Sequence, residues 1–324
     1  FIQHALTLAP DNPVANFNLA VCYLMMGDYV RGWSQYETRW NYEHLAGTLP
    51  QYSQPRWTGQ DLKGKTILVQ GEQGHGDNIQ FVRFLWNLHQ LGARIKLKVT
   101  EGLIPLLGNS SIIETVVRYD QDPGDFDYWI PIMSLPTVLG VTLQNLAQQV
   151  SYLSVDSNKQ QQWLQLLGPK TRMRIGFSWS GRRDSWINQH KAKPFDHMLE
   201  MIREHPQYEW ISLQIDATAE ENAALEAAGV RLFPGTIFDF TDTAALIMAM
   251  DVVLSVDTAV AHLAGALGRP TWLMLNWFAH CWRWLVNRDD SPWYSTMRLF
   301  RQPSMGDWHS VTQRVSKFLS WMKV

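Results

Sequence analysis

The segment Asp257-Thr258-Ala259-Val260-Ala261-His262-Leu263-Ala264-Gly265 places an aspartate and a threonine just before a run of small residues. An apolar strand ending at Asp257-Thr258 and a helix starting there would point first-turn N–H groups at an anion. The Thr258 hydroxyl and the amides after it suit a diphosphate. Asp257 would repel a phosphate, so a cap or a sugar hydroxyl is its expected partner. An ordinary capped strand-to-helix joint gives the same pattern, with His262 simply packed one turn inside the helix.

A second cluster is Gly71-Glu72-Gln73-Gly74-His75-Gly76-Asp77. The glycines Gly71, Gly74 and Gly76 allow a ligand to approach the backbone closely. Their spacing is not G-x-G-x-x-G, and no acidic residue closes the following strand, so the dinucleotide fingerprint fails. Asp77 reads either as a helix cap or as a general base, which needs only one carboxylate within reach of a hydroxyl.

The third cluster is Ser178-Trp179-Ser180-Gly181-Arg182-Arg183 with Lys191 and Lys193. These cations would neutralise a diphosphate as a metal ion does, or form a solvated surface group. Trp272, Trp277, Trp282, Trp284, Trp293 and Trp308 offer rings for stacking a base or a sugar, or for packing on the final helix. The chain has no H-E-x-x-H, P-loop or G-x-S-x-G motif, and Asp120-Gln121-Asp122 lies beside Pro123-Gly124 as a solvated turn rather than a metal site.

These clusters need strands and helices to hold them. Apolar runs predict strands at 66–70, 94–99, 115–118 and 128–131, then 173–179, 210–214, 230–233, 252–256 and 271–275. Helical patterns alternate with them: one from Asp77 with Ile79, Val82, Leu85, Trp86 and His89 on one face, then 101–107, 135–139, 195–205, 218–228, 242–250 and 258–267. A closing helix has Val311, Val315, Phe318, Leu319 and Met322 on one face. Such alternation with short joints predicts an α/β fold of two Rossmann-like, doubly wound parallel sheets, with ligands bound beyond the strands' carboxyl ends in a cleft between them.

The first 45 residues are helical instead. Asp11-Asn12-Pro13 starts a helix, with Asp11 as the expected cap. Ala15, Leu19, Tyr23 and Met26 share one of its faces, and Tyr29, Trp33, Tyr36 and Trp40 share a face of the next helix. This pair resembles one tetratricopeptide repeat, read as the end of a longer array of which the chain is a trimmed piece.

Composition narrows the class. In 324 residues, 46% are hydrophobic and 18% charged, enough apolar surface for more than one core. The net charge of −2 gives no field favouring nucleic acid or an anionic membrane. With two cysteines far apart, neither a disulfide framework nor a cysteine zinc site is available, and a reducing cytoplasm is the expected location. No apolar run reaches the length of a membrane span; Leu246–Val256 comes nearest, interrupted by Asp251.

Taken with Gly27-Asp28-Tyr29, Gly32-Trp33, Tyr36-Glu37, Arg39-Trp40, Trp282-Arg283-Trp284 and Ser291-Pro292-Trp293-Tyr294, the clusters resemble one family. From about Ala15 to Trp308 the chain resembles bacterial tetratricopeptide-repeat proteins fused to a heptosyltransferase-like glycosyltransferase of the GT-B fold. The resemblance implies sugar transfer from a nucleotide-diphosphate donor, with inversion and without a metal or other cofactor. By position it implies that Asp77 is the base on the acceptor hydroxyl, that Lys191 holds donor phosphates with Lys193 as the alternative, and that Asp257, Thr258 and His262 contact the donor. His75, where relatives tend to be apolar, is a second base candidate. Ser180 and Gln214, at predicted strand ends, and Ala259 complete the donor side.

The expected organisation is a repeat segment at 1–45, an acceptor-side domain at 46–160, a donor domain at 161–305 with the polar, Gln-rich stretch 151–170 as the link, and a closing helix at 306–324. A protein or glycan acceptor docked by the repeat is the expected partner. Two other readings stay open: a non-catalytic scaffold that keeps the fold, and a nucleotide-sugar-processing enzyme such as an epimerase.

Overall fold

The computed structural model describes residues 1–43, 45–72, 74–146, 150–181, 194–277 and 281–322. The chain forms two compact units, Phe1–Gln148 with Cys281–Arg288, and Gln149–His280 with Asp289–Val324. Among the described residues no helix is long and apolar enough to cross a membrane.

The first unit opens with helices α1 (Ile2–Leu8), α2 (Pro13–Met25) and α3 (Tyr29–Tyr36), the last continued by a 3-10 turn, Glu37–Asn41. Asn12, not Asp11, caps α2, its side chain accepting from the Ala15 N–H at 2.9 Å. The inner face of α2 is also turned one position from the expected one: Ala20 and Leu24 are buried, while Met26 is exposed past the helix end. Gly32 permits the tight crossing of α2 and α3, since a Cβ there would lie 2.6 Å from Leu24. Tyr29, Trp33 and Tyr36 bury the expected face of α3.

The α/β part of this unit runs β1 (Thr66–Gln70), α4 (His75–Phe81), α5 (Leu85–Gln90), β2 (Arg94–Val99), α6 (Ile104–Leu107), β3 (Thr115–Arg118), β4 (Tyr128–Pro131) and α7 (Leu135–Val138). The predicted single helix after Asp77 is two helices joined by a 3-10 turn, and Trp86 faces solvent. The strands pair in parallel in the order β3-β2-β1-β4. β1, with all five residues buried, lies in the middle, and the strand order reverses beside it.

The second unit holds α8 (Ser157–Leu167), β5 (Arg174–Ser178), α9 (Phe195–Glu204), β6 (Glu209–Ser212), α10 (Ala219–Ala227), α11 (Phe240–Met248), β7 (Val252–Val256), α12 (Ala259–Ala266), β8 (Thr271–Leu275), β9 (Met297–Arg301) and α13 (Trp308–Trp321). Its parallel sheet has the order β6-β5-β7-β8-β9, with Ser178 opposite Ser255 in register.

Three sequence expectations need correction. The stretch 151–170 is no simple link: it contains α8, whose exposed Gln-rich face hides two anchors, buried Trp163 and Leu167. The Trp163 indole and the Lys159 ammonium both donate to Asp242 Oδ1, at 3.1 and 2.6 Å. Val230–Phe233 is not a strand but a single bridge from Arg231 to Ile211 beside the sheet edge. Conversely, the predicted strands stop at 271–275, yet Met297–Arg301 adds the edge strand β9.

Candidate functional site

In the first unit β1 delivers the chain to the glycine loop at its carboxyl end, where the strand order reverses and open α/β sheets bind ligands. Gly71 has no room for a side chain: a Cβ would lie 2.6 Å from Asn78 Oδ1 and 2.8 Å from the Lys98 carbonyl oxygen. Buried Asn78 stitches the loop, accepting from the Glu72 N–H at 3.1 Å and donating to the Glu72 and Gly74 carbonyls at 2.7 and 2.9 Å. The Tyr119 hydroxyl turns in to donate to the Glu72 carbonyl at 3.0 Å, and burial pushes this phenol up to about 12.

Gly74, not Asp77, occupies the cap position of α4. His75 is the first residue of that helix and exposed; half-buried Gly76 follows, and Asp77 is third. Asp77 Oδ2 lies over Gly74, where a Cβ would sit 2.5 Å away. The other oxygen, Oδ1, accepts from Arg283 Nη2 at 2.5 Å, and the carboxylate keeps 29% exposure. The buried Arg283 also donates to Gln80 Oε1 and lies 2.8 Å from the Cys281 sulfur. Burial works against its charge, but Cys281 and Asp77 outweigh burial and keep the guanidinium protonated.

A buried ionic network lies alongside. Arg39 donates to both oxygens of Glu72 at 3.0 Å, to Glu37 at 3.0 Å and to Ser134 Oγ at 2.8 Å. Glu72 Oε1 also accepts from the Met133 N–H at 2.9 Å, tying the glycine loop to the end of β4. Burial pushes the Glu72 carboxyl up, and Arg39 pulls back only part of that rise. Beside the loop a hollow of about 250 Å³ is lined by Trp40, Leu45, Pro50, Gln70, Glu72 and Tyr119.

In the second unit the candidates flank the equivalent reversal, between β5 and β7. On the β5 side Gln214 Oε1 accepts from the Ser178 hydroxyl and from the Trp179 and Ser180 N–H groups at 2.9–3.2 Å. Gln214 therefore shapes the turn, while the buried Ser180 hydroxyl donates to the Gly181 carbonyl at 2.9 Å. On the β7 side Thr258 is the cap residue of α12 but makes no side-chain capping bond; its hydroxyl lies 3.2 Å from that of Ser255. Ala259 begins the helix. Asp257 Oδ1 stands 4.0 Å from His262 Nε2, and His262 Nδ1 is 2.9 Å from the Tyr294 hydroxyl. Gly265 lets that ring lie against the helix, for a Cβ would meet Tyr294 at 2.5 Å.

The structure thus gathers Gly71, Gly74, Gly76, His75 and Asp77 in one unit, and Ser180, Gln214, Asp257, Thr258, Ala259 and His262 at one sheet end in the other. Lys191 and Lys193 lie outside the described residues, as do Arg182 and Arg183. Of the tryptophans, Trp282, Trp284, Trp293 and Trp308 are buried, Trp272 packs on Phe300 and Phe318, and Trp277 is exposed. Sequence reading assigned no role to Asn78, Arg283 or Tyr294, although the last two stand in motifs singled out for other reasons.

Residues 145–272 match the profile of glycosyltransferase family 9 (heptosyltransferase), and residues 1–33 match a tetratricopeptide repeat. Over these stretches the chain is similar to that family and to that repeat. It is similar to Protein FlbA of Caulobacter vibrioides, 28% identical over 339 residues that cover 95% of this chain and 55% of that protein. The chain therefore spans about half the length of this curated relative. Among solved structures, Escherichia coli ADP-heptose lps heptosyltransferase II is 16% identical with a TM-score of 0.57, covering 79% of this chain and 98% of its own. A glycosyl transferase family 9 protein from Veillonella parvula is 12% identical with a TM-score of 0.59, covering 83% and 92%. These likenesses show the fold, an α/β chain with parallel sheets shared with heptosyltransferases.

Proposed function

We propose that this chain is an inverting glycosyltransferase that moves a sugar from a nucleotide-diphosphate donor to a hydroxyl acceptor. The observation that carries the reading is Asp77. Its carboxylate stands at the strand-order reversal of its sheet, anchored through one oxygen by Arg283 and partly exposed. In the reaction the acceptor oxygen attacks the anomeric carbon on the face opposite the diphosphate. The acceptor hydroxyl gives its proton to Asp77, and the bond from anomeric carbon to diphosphate oxygen breaks. The leaving diphosphate takes the electron pair, and its charge is received by the N–H groups at the start of α12, the Thr258 hydroxyl, and Lys191 or Lys193.

The hollow beside Trp40 and Tyr119 would take the acceptor, delivered by a protein or glycan bound to the repeat helices. Because a heptosyltransferase of the same fold is named for ADP-heptose, an ADP-linked sugar is the first donor to test. Neither Cys22 nor Cys281 is in a disulfide, which suits a reducing cytoplasm.

The test is a thermal-shift panel of ADP, UDP, GDP, CDP and TDP and their sugars, followed by a transfer assay with the protecting donor. Ligand at 100 times its dissociation constant adds about 2.7 kcal/mol. Thr258→Ala should reduce protection, whereas Asp77→Asn should keep it and lower transfer by about 100-fold or more. Transfer that survives Asp77→Asn removes Asp77 from the mechanism. Protection by no nucleotide favours the scaffold reading, which has the Arg39–Glu72 link between repeat and loop on its side. Isomerisation of the donor alone would mark an epimerase.

A further inference from the structure

Helices α9 and α13 border a hollow of about 820 Å³ that shares no residue with the candidate clusters above. His197 stands in the first turn of α9, Glu200 follows at i+3 on the same face, and His309 is the second residue of α13. One nitrogen from each imidazole and one Glu200 oxygen all lie within 4.8 Å of one another. The two rings have centroids 6.1 Å apart and planes inclined by 57°. We propose that His197, Glu200 and His309 form a binding site for one divalent transition-metal ion of the Zn²⁺, Co²⁺ or Ni²⁺ class.

The backbone beneath the three ligands is fixed. Met198, Met201 and Ile202 of α9 share a core cluster with Val311, Val315 and Leu319 of α13. The Tyr208 hydroxyl donates to the Leu319 carbonyl at 2.6 Å, and His205 Nε2 lies 2.6 Å from Ser316 Oγ. Metal–ligand bonds of about 2.0–2.1 Å place tetrahedral ligand atoms roughly 3.3–3.5 Å apart. Rotation of these rim side chains would have to close the present separation, within 4.8 Å, to that spacing. Gln313 Nε2 lies 2.8 Å from His309 Nε2; with the amide turned about, its oxygen would accept the Nε2–H, as outer contacts do for ligating histidines.

Cations on the same rim are engaged elsewhere. Arg314 donates to the Arg301 and Ser310 carbonyls, and the Lys317 ammonium lies over the Trp321 ring at 5.2 Å. Two imidazoles and one carboxylate select borderline metals over Mg²⁺ or Ca²⁺, which demand oxygen ligands. Three protein ligands leave a coordination position for water or an outside ligand. The ion ties the first turn of α13 to α9, and this role stands apart from the glycosyl-transfer reading.

The experiment titrates Co²⁺ into the EDTA-dialysed chain and follows the visible d–d bands, with Zn²⁺ as competitor and the Tm recorded in parallel. One Co²⁺ should bind per chain, Zn²⁺ should displace it, and Zn²⁺ should raise the Tm by several degrees. The double variant His197→Ala/His309→Ala should lose the bands while keeping its Tm in EDTA. The milder Glu200→Gln should weaken binding by about tenfold or more. Equal Co²⁺ affinity in the double variant, or no binding to the parent chain at millimolar metal, overturns the proposal. Selective binding of Mg²⁺ or Ca²⁺ would do the same.

Discussion

Arg283 Nη2 donates to Asp77 Oδ1 at 2.5 Å, joining residues 206 positions apart. The guanidinium is fixed in turn: it lies 4.3 Å over the Trp282 ring, and Trp282 packs edge-on against Trp33 and Phe81. Orientation of the one acidic residue in the first turn of α4 thus comes from a distant aromatic segment rather than from the glycine loop alone.

Arg283→Lys keeps the charge but loses the planar fork that reaches Asp77, Gln80 and Cys281 together. Transfer kinetics should show kcat falling by about 10- to 100-fold with KM little changed, since a misplacement near 1 Å costs that much. A kcat equal to that of the parent chain would show that Arg283 does not orient the carboxylate.

Arg39→Met leaves Glu72 and Glu37 without their buried partner. Urea unfolding should show a loss of about 3–5 kcal/mol. Because both members of the pair are then neutral, Arg39→Met/Glu72→Gln should cost less than the sum of the single changes. Strict additivity would mean that the pair contributes no coupling.

Tyr294→Phe deletes the hydroxyl that meets His262 Nδ1 while keeping the ring over Gly265. Stability should fall by about 1 kcal/mol. Nucleotide protection should fall with it if His262 must be held to contact the donor. Unchanged protection in the thermal-shift panel would make this hydrogen bond purely structural.

Glu209 supplies a pH signature. Burial would raise its carboxyl, but Arg174 and Arg231 outweigh burial and hold it below the ordinary 4.5. Its contribution is therefore full above pH 4.5 and is lost as pH falls through the lowered folded value. Glu209→Gln should be less stable at neutral pH, and the gap to the parent chain should narrow below pH 4.5. Urea midpoints measured from pH 3 to 7 check this; a constant gap would show that Glu209 titrates alike in the folded and unfolded chains.

The parallel strands are legible because each is a short apolar run buried on both faces, as with Ile67, Leu68 and Val69 or Val252, Val253 and Leu254. Position along a strand-to-helix joint is legible in part: Thr258 stands at the start of its helix where local spacing puts it, whereas Asp77 lies in the first turn of α4 rather than at its cap. Edges are less so. Val230–Phe233 has the apolar pattern of a strand but makes one bridge, and β9 hides its Met-Arg-Leu-Phe-Arg pattern behind a tryptophan-rich stretch. Helix α8 is obscured because Leu164 and Leu166 face solvent while Trp163 and Leu167 do the anchoring. Long-range partners leave no local trace: nothing near Asp77 announces Arg283, and nothing near Glu72 announces Arg39.

The repeat helices are not a detachable adaptor. Trp33 stacks edge-on against both Trp282 and Phe81, and Arg39 supplies the counter-charge of the glycine loop. A fragment cut near residue 45 would carry away an aromatic face and a cation that the remaining domain requires, leaving both pieces with sticky surfaces. Swapping this repeat for another would thus have to preserve its inward-facing side chains, and tolerated variation is confined to its outer surface.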